Sequence, residues 1–297
     1  MKVKLLPFLW ILGITLLVSG SAYGIYFFHL DQGLSKRQDS RYQITSIVQT
    51  GEDCDALNTN FLAELLGLSA DSQTNLFQFD LKKAHEKIAM CPLIKEAEVK
   101  RLRPSAVYID YTIRKPMALL YDYENIAIDE EGFLFPAEPF FPTRNLPEIY
   151  LGLKQILNPE KEFIWYEPMQ GKELALSFKI LSLLTKPPFS ESFLVKRIDV
   201  SRAFHKSQGK KEIILLLEER VKIKKDGKTT FIFPKILRLN PKGIEQQLSN
   251  FLVLQNKMHK DYYTQLISKA WTSSEIRFQP KIVDFRIPTL AYVQKND

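Results

Sequence analysis

The stretch PLIKEAEVKRLRPSAVYIDYTIRKPMA, Pro92–Ala118, decides how the chain folds. Ala97 and Val99 alternate with charged neighbours; beyond Pro104, Val107, Ile109, Tyr111 and Ile113 alternate with Tyr108, Asp110, Thr112 and Arg114. A period of two marks a strand with one buried face, so the stretch predicts a hairpin whose strands meet at Arg103-Pro104. Nothing in it is catalytic in type. Arg101 and Arg103 flank Leu102 beside the turn, placed either to meet an acidic partner or to form an exposed ion pair worth about 0–1 kcal/mol.

Upstream, FDLKKAHEKIAMCP predicts a helix that starts at the N-cap Asp80, carries Leu81, Ala84 and Ile88 on one stripe, and stops near Pro92. DALNTNFLAELLGL places Leu57, Phe61, Leu65 and Leu68 at helical spacing, and YQITSIVQTG reads as a strand ending at Gly51. Strand, helix, helix, strand, strand over residues 42–115 makes a small α+β unit. Its two helices cover one face of a short sheet and leave the other face or an edge open.

Beyond Pro116 the pattern turns mostly to strands, predicted at Ile126–Phe135, Leu194–Val200, Glu212–Leu217, Arg220–Lys224 and Thr229–Phe233. Two helices interrupt them. One carries Leu174, Phe178, Leu181 and Leu184; the other begins at the cap Asn240-Pro241 and carries Ile244, Leu248, Phe251 and Gln255–Met258. Val283, Phe285 and Ile287 alternate with Asp284 and Arg286, Pro288 interrupts, and Thr289–Val293 resumes as an edge strand, where proline is tolerated. Residues 116–297 therefore read as a mainly antiparallel β domain with two helices and a C-terminal edge strand.

At the amino end, Leu5–Phe28 carries no charge and is long enough to cross a hydrocarbon core of about 30 Å. Trp10, Tyr23 and Tyr26 suit the interfaces, and Lys2 and Lys4 put positive charge on the leading flank, so residues 1–4 are expected to be a cytoplasmic tail. Lys36, Arg37 and Arg41 on the far flank oppose that orientation. The rival reading is a cleaved leader with Gly20-Ser21-Ala22 at the cut; apolarity continuing through Ile25–Phe28 favours retention. Residues 29–41 are polar and read as a linker.

Composition bounds the chemistry. The chain has 297 residues, 45% hydrophobic and 25% charged, which suffices for packed cores. The net charge of +7 comes without an arginine-rich arm or an RNA-binding aromatic motif, so nucleic acid is not the expected partner. Cys54 and Cys91 are the only cysteines; they either pair in an oxidising compartment or pack as two buried thiols. The four histidines show no metal spacing, and Asp129, Glu130 and Glu131 lack the alternation of a calcium loop. No nucleophile elbow, phosphate loop or zinc-protease motif occurs, so neither cofactor, metal, small-molecule substrate nor enzymatic activity is expected.

The order of landmarks resembles the FtsQ/DivIB family of bacterial cell-division proteins. A helix is followed by Pro92, Ile94, Ala97, Val99, Arg101 and Pro104, then an Ile109-containing strand, a basic residue before Pro116, and Ala118. Asp129, Gly132 and Phe135 match the family's aspartate turn, Leu146, Pro147 and Gly152 its Leu-Pro segment, and Val283–Arg286 its penultimate strand. The resemblance implies a single-pass protein of the inner membrane at the division site, its bulk extracytoplasmic. It would carry a POTRA domain at 42–115 and act as a scaffold for septal proteins.

The implied partners are chiefly FtsB/FtsL-like, with FtsW-, FtsI- and FtsK-like proteins as further candidates, captured by strand addition at the C-terminal edge. The implied docking residues are Ile287, Thr289, Leu290, Ala291, Tyr292 and Val293, beside Arg101 and Arg103 in the POTRA unit. Ile287-Pro288-Thr289-Leu290 departs from the aromatic residue and glycine common there, and Pro288 withholds one donor. Ile113 stands where the family commonly has glutamate. The alternatives are a POTRA component of outer-membrane insertion or secretion, which would bring a membrane barrel, and an envelope hydrolase behind a leader.

Overall fold

The computed structural model describes residues 5–51, 56–143, 145–153, 166–222, 230–267, 275–287 and 289–294. The chain divides into two compact units, Met1–Arg114 and Lys115–Asp297.

The first unit opens with α1 (Leu5–Gln38), within which Trp10–Phe28 is long and apolar enough to cross a membrane. Residues 29–38, expected as part of a linker, instead continue this helix. They contain no proline, and the fold itself supplies the helix's end. Asn75 Nδ2 donates to the carbonyl of Lys36 at 3.0 Å and to that of Asp39 at 3.2 Å, and Gln78 Nε2 donates to the carbonyl of Arg37 at 3.1 Å. The last turn's orphan acceptors are thereby satisfied by side chains from a distant loop.

β1 (Ser46–Thr50), α2 (Thr59–Leu66), α3 (Leu81–Ala89), β2 (Ile94–Leu102) and β3 (Ala106–Ile113) follow in the expected order. The sheet order is β1-β3-β2: β2 and β3 form the antiparallel hairpin, and β1 lies parallel to β3 with Ser46 opposite Ala106. Val107, Ile109, Tyr111 and Ile113 are all buried, as their period requires. The Tyr111 hydroxyl donates to Gln49 Oε1 and accepts from the Leu57 N–H, both at 2.8 Å, tying β3 to β1 and to the approach to α2. Asp80 caps α3 as predicted, accepting from the Lys82 and Lys83 N–H groups. The stripe on α2 differs from expectation: Leu62 and Leu66 are buried, not Phe61 and Leu65. Asn58 starts the helix and left-handed Gly67 ends it, so Leu57 lies before the first turn and cannot set its phase.

The second unit is one mixed sheet with helices. Its elements are β4 (Ala118–Leu120), β5 (Ile126–Ile128), β6 (Leu134–Pro136), β7 (Glu148–Tyr150), α4 (Lys172–Leu184), α5 (Phe189–Ser192), β8 (Phe193–Asp199), β9 (Ile213–Lys222), β10 (Thr230–Leu239), α6 (Ile244–Ile267), β11 (Glu275–Arg277), β12 (Lys281–Asp284) and β13 (Tyr292–Val293). The order is β13-β12-β10-β9-β8-β7-β4-β5-β6, with β11 also on β10. Leu174, Ile180, Leu181 and Leu184 of α4 and Ile244, Leu248 and Phe251 of α6 join the core that the strands build.

Four expectations change here. The single strand predicted over Ile126–Phe135 is two, because Asp129 Oδ1 accepts from the N–H groups of Glu131 (3.0 Å) and Phe133 (2.8 Å) and Gly132 turns the chain at φ 92°. Glu212–Leu217 and Arg220–Lys224 are not separate strands, since β9 runs unbroken through Glu218 and Glu219 as far as Lys222; Ile223 and Lys224 of the second expected strand lie outside the described residues. β10 does not stop at Phe233 but continues through Pro234 to Leu239. The Phe278 N–H donates to the carbonyl of Ile232, and the Phe285 N–H to that of Arg238, so even-numbered residues of β10 point their backbone groups toward β11 and β12. Pro234 therefore aims its missing donor at the interruption between those two strands, where no ladder bond is lost. The helix expected from Asn240-Pro241 begins later, at Ile244, after a turn that Asn240 caps by accepting from the Lys242 N–H at 3.0 Å.

One buried acid locks β4 to β7. Asp122 accepts from the N–H groups of Leu151 (2.8 Å) and Leu153 (2.6 Å). Asp122→Ala orphans two buried donors, and urea unfolding of the full chain in detergent micelles is expected to show a loss of about 2–4 kcal/mol. A shift below about 0.5 kcal/mol would mean that the two amides find other partners.

Candidate functional site

β13 is the outermost strand of its sheet among the described residues. Val293 pairs with Val283 and Tyr292 with Asp284. The Gln294 N–H donates to the carbonyl of Ile282 at 3.0 Å, which fixes which residues face inward. By the alternation of an antiparallel ladder, Gln294 and Tyr292 turn their backbone groups toward β12, and Val293 turns its own outward. The Val293 side chain packs on the core while Tyr292 is 68% exposed, so the strand is held by one face and offers the other.

The six residues predicted for this edge share one segment. Ile287, Thr289, Leu290, Ala291 and Tyr292 are exposed, Val293 is half-buried, and Thr289 adopts φ 66°. Pro288 lies outside the described residues, so the expectation attached to it has no structural counterpart here. A groove runs beside the segment, with Gln246, Asn250 and Val253 of α6 on one wall and Arg286, Ile287 and Leu290 on the other. Val253, at 73% exposed, is an apolar residue on the helix that buries Ile244, Leu248 and Phe251.

The turn into β13 is set by an ionic cluster. Glu212, just before β9, has a side chain only 5% exposed, and its carboxylate receives three arginines: Arg238 by Nε at 3.0 Å and Nη2 at 2.5 Å, Arg202 at 3.3 Å and Arg286 at 3.4 Å. Arg286 also grips Asp284, with Nη2 to Oδ2 at 2.7 Å and its own N–H to Oδ1 at 2.9 Å. Asn240 Nδ2 holds the Arg286 carbonyl at 3.3 Å. A buried charge is tolerable only when paired in this way. The predicted VDFR motif is thus the sequence trace of a clamp. Its other half, Glu212 and Arg238, went unforeseen, both being charges at the margins of apolar runs.

Burial alone would raise the Asp284 carboxyl, but the side-chain and backbone hydrogen bonds of Arg286, with the charges of Arg286 and Arg238, outweigh it and hold the group below its ordinary 3.8. The Asp284 hydrogen bonds raise Arg286 in turn.

The two candidates in the first unit sit elsewhere. Arg101 faces the helices from β2 and donates to the carbonyls of Leu76 and Phe79, each at 2.8 Å. Arg103 lies 5.7 Å over the Phe77 ring. Cys91 is buried, and burial pushes its thiol up; Cys54 lies outside the described residues, so whether the two pair is not described. Among the described residues no group of His, Cys, Asp or Glu could hold a metal ion.

A carboxyl whose pKa is lower folded than unfolded stabilises the fold above its unfolded value, and that contribution is lost as pH falls through the folded value. Denaturant midpoints of the wild-type chain should therefore fall below about pH 4, and Asp284→Asn should flatten that part of the profile while lowering midpoints at neutral pH. An unchanged acid limb in Asp284→Asn would remove Asp284 from the clamp.

Residues 54–110 match the family model for the POTRA domain, FtsQ-type. A search of the curated proteins found no match.

Proposed function

The chain is an FtsQ/DivIB-like protein, and from that premise we propose that it is a single-pass scaffold of the division machinery that captures septal partners by strand addition along β13. The FtsQ-type POTRA family is one of non-enzymatic scaffolds, which supports a role in cell division in general. The single apolar helix fits a membrane anchor; in this reading the amino end is cytoplasmic and the residues that follow the helix lie outside the inner membrane.

The observation that carries the reading is the outward-facing backbone of Val293 on a strand fixed from within. An edge strand with unsatisfied N–H and C=O groups accepts a further strand, the backbone ladder giving affinity and alternate side chains giving choice. Here Tyr292, Leu290 and Ile287 supply the apolar surface, and the groove against α6 takes whatever leads into or out of the added strand. FtsB/FtsL-like division proteins are the partners this reading assigns to it. FtsW-, FtsI- and FtsK-like proteins follow in the same assembly. Arg101, spent on two backbone carbonyls, acts in this scheme through the shape of the POTRA unit.

A photo-crosslinker in place of Ala291 tests the claim in dividing cells. Val293→Pro deletes the outward donor, whereas Val293→Ala keeps it and controls for lost packing. Crosslinks to an FtsB/FtsL-like protein should persist in Val293→Ala and fall at least about tenfold in Val293→Pro, a loss of about 1.4 kcal/mol. Crosslinks that survive the proline would rule out strand addition at this edge.

A further inference from the structure

Lys36, Arg37 and Arg41 lie on the flank where a positive-inside distribution leaves few basic residues, and the docking role above makes no use of them. The fold adds to them. The loop that caps α1, residues 75–79, brings Arg103 over Phe77, and the first turn of α3 follows directly with Lys82 and Lys83, both exposed. Three acids, Asp31, Asp39 and Asp80, stand in the same segments, and the two whose side chains are described are engaged locally. Asp39 is held by Arg41 at 2.7 Å, and Asp80 caps α3. Among the described residues no carboxylate pairs with Lys36, Arg37 or Arg103.

We propose that this end of the first unit is a membrane-surface contact for anionic lipid headgroups of the leaflet from which α1 emerges; the proposal rests on Trp10–Phe28 spanning a bilayer. Because α1 is continuous to Gln38, the eight residues from Phe28 to Lys36 advance about 12 Å along its axis. Headgroup and interfacial layers occupy roughly 5–8 Å beyond the hydrocarbon on each side, and charges act over a further ~8 Å at physiological salt. The cluster therefore sits where the surface potential is felt, and long arginine side chains cover the remaining gap.

The composition of the patch favours lipid over protein. A protein interface needs an apolar centre with charge at its rim. Here the charges form the centre, and the apolar part is Leu102, 44% exposed, with Phe77 half-buried edge-on against Tyr42 at 4.9 Å, an arrangement suited to the headgroup level.

The test uses the full chain in nanodiscs, with Cys54→Ser and a fluorophore on Leu102→Cys, and reads quenching by a headgroup-labelled lipid. Discs of phosphatidylcholine are compared with discs containing about one-third phosphatidylglycerol. Quenching should be at least about twofold stronger in the anionic discs, and should return to the neutral-disc level in about 0.5 M salt and in the double variant Arg37→Gln with Arg103→Gln. Equal quenching in the two discs overturns the proposal, as does a double variant that quenches like its parent. If the double variant keeps its quenching but loses a protein crosslink, the patch is a protein dock. A chain that does not remain in the disc overturns the anchor, and the headgroup contact with it.

Discussion

Everything at the open edge of the second unit depends on one buried carboxylate. Glu212 has almost no contact with solvent, so it must be neutralised where it stands, and the arginines that reach it come from the loop after β8, from β10 and from the end of β12. Removing one partner of such a cluster leaves charge uncompensated in a low-dielectric interior, which costs far more than the pair contributes when whole. The cluster thus acts as a registration device: β10 and β12 can meet only where Arg238 and Asp284 stand opposite each other, and that register places the segment 287–293.

The first unit was legible because its signals are local. Period two in Val107–Ile113, a carboxylate cap at Asp80 and a proline at 92 each act within a few residues, and the hairpin and α3 followed from them. The second unit was legible in kind but not in bounds. Pro234 reads as a strand end until one knows that its missing N–H faces the interruption between β11 and β12, a fact of tertiary arrangement. Glu212 and Arg286 are 74 residues apart, a separation at which a sequence offers no period or cap to read. A strand was expected over Thr289–Val293, and the one found, outermost among the described residues, spans only Tyr292–Val293; the clamp that positions it was not anticipated.

A similar lesson holds at Arg101. From the sequence, a basic residue beside an exposed hairpin turn reads equally well as a hand for a partner or as solvated charge. The structure spends its guanidinium on the carbonyls of Leu76 and Phe79, which belong to the loop whose neighbouring side chains cap α1. Polar side chains far apart in sequence thus fasten helix, loop and hairpin together, and the period-two pattern that identified the hairpin is silent about all of them.

Those caps have a mechanical side. A membrane helix longer or shorter than its bilayer adjusts by tilting, and a domain on a slack tether would ignore the adjustment. Asn75 and Gln78 grip the final carbonyls of α1, so the helix and the sheet behind it turn as one lever. With α1 anchored as proposed, bilayer thickness would be converted into the angle at which the first unit stands over the lipid.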